Sequence, residues 1–197
     1  MTFPNGSKYQ PTRAWHDLFK AIVNAQKFIY ITGWSVFTDI QLVRGEDDQE
    51  GLSTVGNLLK HKAENGVRVL MMVWDAHDMG VMGTNDEVTK EFFEGSNVEC
   101  ILVPRQKEGG GLESTFVGAC YSHRQKTVIC DADAENTDLR RIIAFIGGLD
   151  ITGGRYDTLE FPLFKTINTV HKGDFYSNCV VGATAVSYTH LTLPTNR

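Results

Sequence analysis

Three times in its first hundred residues the chain passes from an amphipathic helical pattern straight into a short β-branched and aromatic run, and this alternation constrains the fold more than any other feature. From Arg13 to Gln26 the apolar residues Trp15, Leu18, Phe19, Ile22 and Val23 recur every three or four positions, one face of a helix. The run Lys27–Trp34 that follows is too short for a buried helix and reads as a strand. A second helix, about Leu52–Glu64 with Leu52, Val55, Leu58 and Leu59 on its apolar face, closes at Gly66 and leads into the strand Val67–Trp74. In the third unit Thr84-Asn85-Asp86-Glu87 has capping-box spacing ahead of Val88, Phe92 and Phe93, Gly95 ends the helix, and Val98–Pro104 is the next strand. Near-continuously apolar strands alternating with helices predict an α/β fold: a largely parallel mixed sheet flanked by helices on both faces.

Beyond the third unit, Arg105–Val117 is polar and glycine-rich, with Gly109-Gly110-Gly111, and reads as a loop. Two further strands, about Tyr121–Cys130 and Arg141–Gly147, bring the expected sheet to at least five; the acidic insert Asp131–Leu139 between them is expected to be solvated. A chain of 197 residues suits one domain, and we place it at 1–185. The last residues, 186–197, continue no upstream pattern and are expected to be an unrelated, non-native tail. Nineteen Lys and Arg against twenty-four Asp and Glu give a net charge of -5, which argues against nucleic acid as a partner. With no apolar run of eighteen residues and no signal-like N-terminus, the chain reads as soluble, unsecreted and cytoplasmic. The widely spaced Cys100, Cys120, Cys130 and Cys179 are expected to be free thiols in a reducing compartment.

The segment that carries chemistry is Tyr121-Ser122-His123-Arg124-Gln125-Lys126-Thr127-Val128-Ile129-Cys130-Asp131, in which charged groups open a strand that then turns wholly apolar. Strand alternation puts Arg124 and Lys126 on one face and His123 and Gln125 on the other, so two cations converge at one strand end, a seat for a phosphate. Asp131, beyond the strand, could hold Lys126 or a neighbouring backbone group. Read without context, the same charges serve equally well to guard an edge strand against aggregation.

Lys126, four residues and then Asp131 form the latter part of the His-x-Lys-x4-Asp motif of the phospholipase D superfamily, and the surroundings resemble its plant-type members. Ile31-Thr32-Gly33-Trp34-Ser35-Val36 is similar to their first core strand, and Gly66–Asp75 to their second. Phe145-Ile146-Gly147-Gly148-Leu149-Asp150 and Gly154-Arg155-Tyr156-Asp157-Thr158 resemble the segment after the motif. The resemblance runs from about Ala14 to Phe175. It implies one half of a pseudo-twofold catalytic fold, in which two such motifs meet to build one site that hydrolyses the distal phosphodiester of glycerophospholipids such as phosphatidylcholine. The motif histidine would form a phosphohistidine, the other half's histidine would protonate the leaving alcohol, and lysines from both halves would stabilise the phosphoryl oxygens.

The resemblance also marks a departure. Arg124 stands where the motif histidine belongs, and an arginine stays protonated and cannot be the nucleophile. His123 is adjacent but should face the other way; plant-type members usually carry a histidine there as well. The second motif and the Trp-His-Asp segment do not occur in these residues, nor does the calcium-binding lipid-targeting domain that precedes this region in the family. The family implies calcium, which is expected not to be retained here, together with a phospholipid headgroup at a membrane surface as partner and peripheral membrane association. The chain is expected to need a second catalytic half and to be inactive alone.

The site residues expected are therefore Lys126 and Asp131, with Arg124 at the nucleophile position and His123 as a weaker catalytic candidate. Gly147, Gly148, Asp150, Asp157 and His171 are expected toward substrate, and no metal ligand is assigned. For Asp150 and Asp157 a turn-shaping role is an equal reading, and for His171 a solvated loop position is favoured. His77, between Asp75 and Asp78, reads as part of a polar loop, and Trp15, Trp34 and Trp74 as core. Two other functions compete: a non-catalytic module in which Arg124 and Lys126 grip a phosphate or lipid headgroup, and a one-motif phosphodiesterase completed by homodimerisation.

Overall fold

A computed structural model describes residue 6 and residues 13–44, 52, 54–75, 85–103, 124–134, 138–160, 166, 169–171 and 174. Helix α1 (Ala14–Asn24) leads into strand β1 (Phe28–Gly33), α2 (Val55–Glu64) into β2 (Arg68–Trp74) and α3 (Asp86–Phe93) into β3 (Val98–Val103), as the three sequence units predict. Strands β4 (Thr127–Asp133) and β5 (Arg140–Ile146) complete a five-stranded sheet of order β3-β2-β1-β4-β5. The strands β1, β2 and β3 are parallel, while β4 runs antiparallel to β1 and β5 antiparallel to β4. This is an α/β fold on a mixed sheet.

The pleat sorts the side chains. Cross-strand rows Val98–Val69–Ile29–Cys130–Ile143 and Cys100–Met71–Ile31–Val128–Phe145 face the helices and form the core with Trp15, Leu18 and Ile22 of α1, Leu58 and Leu59 of α2, and Phe93 of α3. Glycines at positive φ, Gly66 (+84°) and Gly95 (+72°), end α2 and α3, as the chain's glycine punctuation predicts. The capping box does not form as expected: Asn85 takes the N-cap of α3 in a left-handed conformation, with no side-chain cap bond. Asp86 and Thr89 are buried instead, and the Thr89 hydroxyl donates to the Val36 carbonyl, so α3 is fixed at its start by a tertiary bond.

Among the described residues α1, α2 and α3 all pack on one face of the sheet, and helices for the opposite face are not among the described elements. That opposite face carries the row Ile101–Met72–Thr32–Thr127–Ile146, and Ile142 and Ile146 of the outer strand β5 are 70% and 79% exposed. Leu139 and Leu149, before and after β5, are exposed as well. With these apolar side chains exposed along one sheet edge, the chain is expected to self-associate. Sedimentation velocity of the 197-residue chain beside an Ile142→Lys, Ile146→Glu variant checks this: the variant should shift toward monomer.

The expected solvated insert Asp131–Leu139 is shorter than read. Strand β4 continues through Asp133 in register with β5, pairing Asp131 with Ile142 and Asp133 with Arg140, and Asp131 is 2% exposed. The strand opens later than read as well, at Thr127, with Arg124 to Lys126 preceding it as irregular chain. His123, His77, Cys120, Cys179 and the tail 186–197 lie outside the described residues.

Candidate active site

Because β4 runs against β1, its N-terminal end meets the carboxyl end of β1, where parallel strands of α/β proteins commonly present ligand-binding groups. Thr32 and Thr127 sit opposite one another there and share a hydroxyl–hydroxyl hydrogen bond of 2.7 Å. Strand β5 ends beside them, since Ile146 pairs with Thr127, and the chain turns through Gly147-Gly148-Leu149 to Asp150. Three strand ends and one turn thus converge on a few side chains.

Asp150 organises the cluster. Its Oδ1 accepts from the backbone N–H groups of Trp34 (2.9 Å) and Ser35 (3.1 Å), which fixes the carboxylate against the end of β1. Its Oδ2 is left to face Lys126, whose Nζ donates to it at 2.5 Å; the two side chains are only 4% and 10% exposed. Gly33 makes room for Val36, whose Cγ2 a Cβ there would approach to 2.7 Å, while Asp150 Oδ1 at 3.6 Å would be in ordinary contact. A carboxylate held by two N–H donors is a fixed counter-charge, and the ammonium it orients keeps two further protons for a ligand.

Arg124 is exposed, and its guanidinium lies over the Trp34 ring at 5.3 Å, on the ring that Lys126 Nζ also approaches at 5.8 Å. Both cations thus gather on one aromatic surface, as expected, but from irregular chain ahead of β4 and not through strand alternation. A cavity of 410 Å³ opens beside them, lined by Lys126, Asp150, Gly147 and Gly148 and by apolar groups including Trp15, Leu18, Val36 and Phe145. A Cβ on Gly147 or Gly148 would meet nothing within 4 Å, so this wall of the cavity is open.

Asp131 is not part of this cluster. It lies five positions on from Lys126 along extended chain, about 16 Å. Its Oδ1 accepts from the N–H groups of Lys27 (2.9 Å) and Phe28 (3.0 Å), Gln26 N–H reaches both oxygens at 3.2 Å, and Arg140 Nε donates to Oδ2 at 2.7 Å. Arg140 also donates to the Asn24 carbonyl and pairs with Asp133. Asp131 thus clamps the α1–β1 connection to the sheet, the backbone-holding alternative of the sequence reading, and it does not hold Lys126. Burial alone would push its carboxyl up, but hydrogen bonds from Phe28, Lys27, Arg140 and Gln26 outweigh it and hold the group at about 2, against 3.8 ordinarily.

The remaining candidates divide. Asp157 accepts from the Thr158 N–H at 2.8 Å, the turn-shaping role, and lines a separate cavity of 790 Å³ with Arg13, Arg44 and Arg155. His171 corrects the solvated-loop reading, for it is 1% exposed. Its Nδ1 bonds the Thr166 hydroxyl at 2.7 Å, its Nε2 lies 3.1 Å from the Tyr156 carbonyl, and its ring meets Tyr156 edge-on. Arg44 lies over the other aromatic partner, Tyr156, at 3.9 Å and pairs with Asp174, so His171 belongs to a buried packing cluster. A lone histidine in a polar stretch carries no sequence signal for such burial.

Sequence reasoning assigned Trp34 to the core. It is half-buried and stacks on Trp74, with ring centroids 6.0 Å apart and planes at 17°, and it forms the floor under the two cations. Its position directly after β1 was the available signal. Burial pushes the Cys100 and Cys130 thiols up to about 11, so neither is a nucleophile near neutral pH. Among the described residues no three His, Cys, Asp or Glu side chains gather as metal ligands. No described helix is long and apolar enough to cross a membrane.

A sequence profile of the family described as Phospholipase D matches residues 21–190. The chain is 46% identical over 192 residues to phospholipase D alpha 1 of Brassica oleracea var. capitata, an alignment covering 90% of this chain and 24% of that protein. It is 45% identical over 184 residues to phospholipase D alpha 1 of Nicotiana tabacum (87% and 23%), and 44% identical over 189 residues to phospholipase D beta 2 of Arabidopsis thaliana (90% and 20%). The chain spans about a quarter or less of the length of these relatives.

Proposed function

The chain belongs to the phospholipase D family, in its plant-type branch, and on that premise we propose that the cluster at the mouth of β4 is one half of a site for the distal phosphodiester of glycerophospholipids. The observation that carries this reading is the Lys126–Asp150 pair, a buried cation fixed by a carboxylate that is itself hung on backbone N–H groups. Such a cation stabilises charge on phosphoryl oxygens without having to reorganise as that charge develops. The neighbouring apolar cavity suits a substrate that is charged at one end and hydrocarbon at the other.

In the full reaction a motif histidine attacks phosphorus as its bond to the headgroup oxygen breaks, and a histidine of a second half-site gives that oxygen a proton. Water, deprotonated by the same second histidine, then attacks phosphorus; the P–N bond breaks, and phosphatidic acid and the free alcohol are released. Arg124 occupies the attacking position in this chain and has no lone pair to offer. Lys126 and Arg124 therefore grip the diester without turning it over, at a membrane surface reached by peripheral attachment, until a histidine and a second half-site are present. The stacking of Arg124 on Trp34 beside Lys126 also favours the binding-module reading for the chain as it stands.

Equilibrium titration of the 197-residue chain with dimethyl phosphate tests the shared premise of both readings. Lys126→Ala is expected to raise Kd at least about tenfold, the loss of one charge-assisted hydrogen bond. An unchanged Kd would remove Lys126 from the site.

A further inference from the structure

Trp34 offers the site more than a floor. Its Nε1–H is buried and meets no acceptor among the described residues. An indole nitrogen can only donate, and a buried donor left unpaired is both costly and uncommon in native proteins. This one belongs to the ring over which Arg124 and Lys126 converge, at 5.3 and 5.8 Å from its centre. An oxyanion held by the two cations stands near this ring, and at the ring's edge, in its plane, it can also accept from Nε1–H.

We infer that Trp34 is a ligand-binding and specificity-determining residue, its Nε1–H donating to a phosphoryl oxygen alongside Lys126 and Arg124. The inference rests on the reading above that the site takes a phosphodiester. Each non-bridging oxygen of a diester accepts more than one hydrogen bond, so three donors can share the two. Lys126 keeps two protons after Asp150 takes the third. The exposed Arg124 side chain lies over the ring, within reach of an anion at its edge. Because the indole is neutral, it adds direction without adding charge. The stack on Trp74 and the hydrogen bonds from the Trp34 and Ser35 N–H groups to Asp150 Oδ1 keep the ring from following the ligand.

The test is a titration of the 197-residue chain with dimethyl phosphate, followed through the indole N–H resonances and compared with Trp34→Phe and Lys126→Ala. The resonance that disappears in Trp34→Phe is expected to move downfield with the same Kd as the overall binding, and Trp34→Phe to raise that Kd about tenfold. The shift in the unsubstituted chain stands on its own where Trp34→Phe fails to fold. Binding that depends on Lys126 but leaves the Trp34 indole unmoved and the Trp34→Phe affinity intact would overturn the inference and spare the phosphodiester reading. Binding absent altogether, or indifferent to Lys126→Ala, would sink both.

Discussion

Asp131→Ala is expected to cost the chain about 3–5 kcal/mol, a third or more of the stability a domain of this size holds, and so to leave it unfolded in mild urea. The carboxylate is buried and receives three backbone N–H groups and the Arg140 guanidinium. Removing it strands the three N–H groups and leaves Arg140, only 16% exposed, with just Asp133 and backbone carbonyls as partners. The carboxyl is held at about 2 in the folded chain against 3.8 ordinarily, so its contribution is complete above about pH 4 and drains away as pH falls toward 2. Urea unfolding followed by far-UV circular dichroism, repeated from pH 6 to pH 2, should show that fall. Asp131→Asn should show a lower and flatter profile over the same range. A wild-type midpoint for Asp131→Ala would mean that the clamp is idle.

The second large effect is at position 124. With a second His-x-Lys-x4-Asp half of a plant phospholipase D supplied in trans, Arg124→His is expected to raise choline release at least about 10³-fold over the unsubstituted pair, the scale on which acid–base and nucleophilic groups act. Position 124 faces the same aromatic surface as Lys126, so the new imidazole would stand beside the cation that holds the phosphoryl group. Adding Lys126→Ala to the restored chain should return turnover to near background, because the developing oxyanion charge then loses its fixed partner. Release by the restored chain alone would point to a homodimeric site.

How legible all this was in the sequence depends on which interactions are local. The helix–strand alternation and the glycines that end α2 and α3 are local, and the three helix–strand units stand where they were read, while β4 is displaced toward its C-terminal end. That Arg124 and Lys126 gather on one side could be read too, although they do so from irregular chain ahead of β4 and not from a strand. The partner of Lys126 could not. Asp150 is twenty-four residues away and reaches it only because β5 returns antiparallel to β4 and sets the Gly147–Gly148 turn beside Thr127. The same limit hid the work of Asp131, whose partners at 26–28 lie more than a hundred residues upstream. Motif membership placed Asp131 in the site, yet register carried it to the far end of the strand. His171 was misread for a related reason, since burial follows from the Tyr156 and Arg44 packing around it and not from its neighbours in the chain.

Choline release from phosphatidylcholine vesicles is the most direct measurement, made on the chain as it stands and on Arg124→His, each with the complementary half present and with calcium present or absent. The account predicts silence from the first and turnover from the second. Turnover by the chain carrying Arg124 would contradict it, since some other group would then be attacking phosphorus.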